Sequence, residues 1–77
     1  MSPEEMAARV RRRVERTSSG DLIAWAELAV CGMQRQLDDF RRDPCEDHLA
    51  EIKLAALSMD AVADELAVRL KQSQDTS

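Results

Sequence analysis

From Leu49 to Leu70 this chain carries apolar residues on two opposite sides of what reads as one long helix. Leu49, Ile52, Ala56, Met59, Ala63, Leu66 and Leu70 follow alternating steps of three and four, the spacing of a packed helical seam. A second row, Ala50, Leu54, Leu57, Ala61 and Val68, falls about half a turn away when each residue advances ~100°. Two polar strips run between the rows. Glu46, Lys53, Asp60, Asp64 and Lys71 form one, and Asp47, Glu51, Ser58, Glu65 and Arg69 the other. A helix with two dry faces needs two partners, and the rest of the sequence has to supply them.

Helix-start and helix-stop residues divide the chain into three helices and predict an all-α fold. Ser2-Pro3-Glu4-Glu5 gives a hydroxyl cap, proline at the first helical position and an acid at the third, so a first helix is expected over 3–16. Thr17-Ser18-Ser19-Gly20 breaks it, and Ser18 caps a second helix over 21–42 that ends in basic residues, as the helix dipole favours. Asp43-Pro44-Cys45-Glu46 repeats the opening pattern and starts a third helix over 44–71, with a frayed polar tail over 72–77. No segment alternates with period two, so no strand is expected. The short link between the second and third helices predicts an antiparallel hairpin. Its matching seam is Leu22, Ala26, Ala29, Met33, Leu37 and Phe40, flanked by Ile23 and Val30.

Size sharpens the question of the second dry face. A chain of 77 residues buries only about 60% of its unfolded surface and often recruits a partner chain. The first helix offers Met6, Val10 and Val14, which the short turn at 17–20 directs towards Trp25 and Leu28. That leaves Leu54, Leu57, Ala61 and Val68 for a second copy, an apolar patch larger than monomers tolerate. The expected assembly is a dimeric helical bundle with Leu54, Leu57, Ala61, Val68, Trp25 and Leu28 at the oligomer or partner interface. The competing arrangement lays the first helix across that face of the third and needs no second copy.

Composition limits the function classes. Two cysteines without a regular spacing do not make a secreted disulfide framework, and the cytoplasm is the expected compartment. No run approaches the ~20 apolar residues of a membrane span. The net charge of −4 hides an asymmetry, since residues 1–17 hold five Arg against three Glu while the remainder is acidic. Arg9, Arg12, Arg13 and Arg16 share one side of the first helix, a candidate contact for phosphate or for an acidic partner. The plainer alternative is a solvated face, with Glu5 paired to Arg9 and Arg11 to Glu15. No aromatic interleaving or glycine-rich loop accompanies the arginines, so nucleic acid is not the favoured partner.

Cys45 and His48, three apart at the start of the third helix, make half of a zinc site. Cys31 lies about twelve residues before the turn, ~15–20 Å away along the hairpin, too far to complete the site or to form a disulfide. The expectation is therefore no metal and no cofactor, with Cys45 and His48 closing the hairpin end. No nucleophile stands beside His48, and Asp60, Asp64 and Glu65 spread over both polar strips, so no catalytic set is assigned. The favoured function is a homo-oligomeric protein–protein interaction or regulatory module. A nucleic-acid-associated regulator and a small helical enzyme with a site between protomers are the alternatives.

Overall fold

The computed structural model describes residues 2–75 and contains three helices: α1 (Pro3–Glu15), α2 (Ser19–Arg42) and α3 (Glu46–Asp75). The fold is all-α, without a strand among the described residues. Both N-terminal caps form where the sequence places them. The Ser2 hydroxyl accepts from the Glu5 amide at 3.2 Å, and the Ser18 hydroxyl accepts from the Asp21 amide at 3.2 Å. The third start differs. α3 begins at Glu46 rather than Pro44, because Asp43 ends α2 instead of opening α3, its amide bonding back to the Asp39 carbonyl at 2.8 Å. The far end also differs, since Gln72–Asp75 continue the helix where a frayed tail was expected, and 76–77 lie outside the described residues.

α2 and α3 lie side by side and run antiparallel. Gln36 meets His48 near the connecting turn, and Ser19 meets Arg69 at the opposite end. α1 then runs alongside α3 and parallel to it, with Pro3 and Met6 near Ala50, Leu54 and Leu57, and Val14 beside Ala61. The placement of α1 against that face of α3 is the one the competing arrangement calls for. α1 packs on α3 and leaves Leu28 72% exposed. The reason lies at the α1–α2 turn, where Val14, Leu22, Ala61 and Val62 form a small dry core that draws all three helices together. Ala61, expected at an intermolecular interface, is only 5% exposed within this core.

The seam of α3 is rotated from the expected one. Its half-buried and buried positions towards α2 are His48, Ile52, Ala55, Met59, Val62, Leu66 and Arg69. Ile52, Met59 and Leu66 belong to both versions, whereas Leu49, Ala56, Ala63 and Leu70 are exposed. Two polar residues displace two leucines because each finds a partner there, His48 in Gln36 and Arg69 in the α1–α2 turn. Ser58, read as part of a polar strip, is buried, small enough to sit on the floor between α1 and α2. On α2 the expected seam holds except at Leu37, which is exposed while Gln36 turns inward.

Arg69 joins the three helices. Its Nη2 donates to the Thr17 carbonyl at 2.7 Å and reaches those of Val14 at 3.3 Å and Glu15 at 3.4 Å. Its Nη1 donates to the Ser19 hydroxyl at 3.0 Å and its Nε to Glu65 at 3.1 Å. A guanidinium thus caps the C-terminal carbonyls of α1, where a cation also opposes the negative end of the helix dipole.

The body measures 51 × 25 × 14 Å, a slab with two broad faces. Its radius of gyration is 14.6 Å, against about 11.5 Å for a compact domain of this length.

Candidate functional site

On one broad face, opposite the groove between α1 and α2, an apolar strip lies open. Ile23, Val30 and Leu37 repeat every seven residues along α2, and Leu49, Ala56, Ala63 and Leu70 do the same along α3. All seven are exposed, Leu37 by 50% and Leu70 by 61%. On a helical wheel both rows lie on the same side of the α2–α3 seam, away from α1. The strip runs ~32 Å along α3 at 1.5 Å per residue. By periodicity alone these residues belong to the seam itself or to its flanks. What hid them was a rotation of less than one residue step.

The other broad face holds a groove. α3 forms its floor with Glu51, Leu54, Ala55 and Ser58, α1 one wall with Met6 and Val10, and α2 the other with Trp25, Leu28, Ala29 and Gly32. Four of the expected interface residues, Trp25, Leu28, Leu54 and Leu57, therefore gather along it. Val68 does not join them. It is half-exposed in a separate crevice with Arg11, Glu15 and Asp64.

Arg9, Arg13 and Arg16 line the groove's α1 side, and all four arginines of the cluster are exposed. The Arg13 guanidinium stacks over Trp25, 5.4 Å from the ring centroid. Among the described residues none of Arg9, Arg12, Arg13 and Arg16 forms an ion pair. The helical pairing of Arg11 with Glu15 gives way to a bond from Arg11 to Asp64 at 3.4 Å, which ties α1 to α3. With both partners more than half exposed, that pair adds little stability.

At the α2–α3 turn the structure brings together three side chains that the sequence reading did not combine. One donor atom each from Asp43, Cys45 and His48 lie within 4.8 Å of one another. In the sequence Asp43 fits a helix cap, which masks it as a ligand. Gln36, about two turns back from Asp43 along α2, bonds the His48 ring, its Oε1 2.8 Å from Nδ1. His48 therefore has a protein partner at the hairpin end. Cys31 and Cys45 are both free thiols.

No helix among the described residues is long and apolar enough to cross a membrane. The chain matches no protein-family model, no curated protein and no solved structure.

Proposed function

We propose that this protein is a self-associating helical interaction module without catalytic activity, and that two copies pair through the strip of Ile23, Val30, Leu37, Leu49, Ala56, Ala63 and Leu70. One observation carries the reading. The chain exposes 5968 Å², whereas a folded monomer of 8.7 kDa exposes about 4,700 Å². The excess of about 1,200 Å² exceeds the ~800 Å² that each partner buries in a standard interface. Two antiparallel α2–α3 pairs stacked strip to strip make a four-helix bundle, and the small Ala56 and Ala63 let their backbones approach closely.

The groove on the opposite face stays open in such a pair. Trp25, Leu28 and Leu54 offer an apolar anchor site, and the arginines beside them suit an acidic amphipathic segment of another protein.

Sedimentation of the full chain tests the pairing. A dimer is expected at micromolar concentration, reduced to monomer by Leu37→Glu and retained by Leu28→Glu, which puts the same charge on the groove face. A wild-type monomer at ~100 µM, well above the dissociation constants of interfaces of this size, would refute the reading. Dissociation by Leu28→Glu but not by Leu37→Glu would move the interface to the groove.

A second reading has one observation in its favour, the lack of ion-pair partners for Arg9, Arg12 and Arg16 among the described residues. In that reading the arginine face contacts a nucleic-acid backbone. It requires duplex binding that weakens steeply with salt and vanishes when Arg9, Arg12, Arg13 and Arg16 all become Gln. Affinity unaffected by those four changes removes it.

A further inference from the structure

We propose that Asp43, Cys45 and His48 form a binding site for a zinc-class divalent ion at the α2–α3 turn, one ion per chain. The donor set is a carboxylate oxygen, a thiol sulfur and an imidazole nitrogen, and all three come from the six residues Asp43-Pro44-Cys45-Glu46-Asp47-His48. Thiolate and imidazole together select zinc or cobalt over calcium or magnesium, which prefer oxygen alone. Around a tetrahedral zinc, donor atoms stand about 3.3–3.6 Å apart. The present spread of up to 4.8 Å therefore has to contract by roughly 1 Å, which side-chain rotation supplies at an exposed Asp43 and a half-buried Cys45.

The turn backbone holds these groups in place. The Asp43 amide is tied to the Asp39 carbonyl, Pro44 fixes the next φ, Cys45 directly precedes α3, and His48 sits in its first turn. An independent observation comes from Gln36. Its Oε1 is an acceptor, so the 2.8 Å bond requires a proton on Nδ1 of His48. The lone pair is then left on Nε2, and the proposed site takes that nitrogen as its imidazole donor, as in metal-binding histidines whose other nitrogen donates to the protein. With three protein donors, the fourth position falls to water. Such an ion would clip the end of α2 to the start of α3 and stabilise the folded chain by mass action. The site lies within one chain, so its test does not depend on the proposed pairing.

Cobalt(II) titration of the reduced full chain, followed by zinc(II) displacement, reads the site directly. The expected result is one cobalt per chain, with a thiolate-to-cobalt charge-transfer band and the strong visible bands of tetrahedral cobalt, both removed by zinc. Cys45→Ser should abolish the charge-transfer band and Cys31→Ser should keep it. Asp43→Asn should weaken binding. Gln36→Ala, which removes no ligand, should weaken it by about 10–100-fold. Far-ultraviolet circular dichroism checks that each variant is folded. The proposal is overturned by a folded wild-type chain that gives no thiolate band, by a band lost in Cys31→Ser, by half a cobalt per chain, or by Asp43→Asn and Gln36→Ala both binding as tightly as wild type.

Discussion

Replacing Arg69 with alanine should cost this small protein most of its stability, although residue 69 lies on no hydrophobic seam recognisable in the sequence. The side chain is about a quarter exposed and makes its shortest contacts with the Thr17 carbonyl at 2.7 Å and the Ser19 hydroxyl at 3.0 Å. A hydrogen bond from a charged donor contributes about 1.5–3 kcal/mol, and two such bonds in one side chain do not add fully. Water can reach part of this site and resatisfy some of the carbonyls. A net loss of about 3 kcal/mol is therefore expected, against the roughly 3–5 kcal/mol that a core of this size supplies. Urea unfolding is the assay, run at one fixed protein concentration because self-association would shift the midpoint. With a slope of about 1 kcal/mol per M, Arg69→Ala should lower the midpoint by about 3 M. Arg69→Lys keeps the charge but loses the fork that spans α1, α2 and Glu65, so it should recover less than half of that. Lys71→Ala, exposed two residues on, should be neutral. If Arg69→Ala and Arg69→Lys both unfold within about 0.5 kcal/mol of wild type, the guanidinium does not hold the three helices together.

Two further substitutions separate burial from size and test the capping pattern. Val62→Ala removes two methyl groups from the dry core and should destabilise by about 2 kcal/mol, whereas Leu28→Ala removes more carbon from an exposed position and should cost about 0.5 kcal/mol in the unassociated chain; equal effects in urea would mean the core lies elsewhere. Ser18→Ala deletes the acceptor for the Asp21 amide and should cost about 1 kcal/mol in the same experiment, with no loss arguing that water caps α2 equally well.

The starts of α1 and α2 were legible because capping chemistry is local. A hydroxyl, a proline or an acid at fixed offsets needs nothing from the rest of the chain. The third start misled because Asp-Pro serves equally well after a helix and before one, and only the bond from Asp43 to Asp39 decides between the two. The rotation of α3 was not legible. Apolar side chains surround much of this helix, so a seam through Leu49 and Leu70 fits the periodicity as well as one through His48 and Arg69. What selects the second is the position of Gln36 and of the α1 carbonyls, which are 12 and more than 50 residues away in sequence. Val62, at the centre of the core, fell outside both rows for the same reason. The Asp43, Cys45 and His48 cluster was half visible, as a Cys and a His three apart. Its third member was hidden behind its use as a cap.

An odd number of helices running up, down and up sends Ser2 and the end of α3 to opposite poles. Ser2 enters on the side of the α2–α3 turn, and α3 leaves past the α1–α2 turn at the other end of a body 51 Å long. Dyes placed at Ser2 and at Gln74 would report a spacer rather than a loop, held roughly 40 Å apart at 1.5 Å per helical residue. Whatever is attached at Ser2 and at Gln74 is held apart by most of the length of α3.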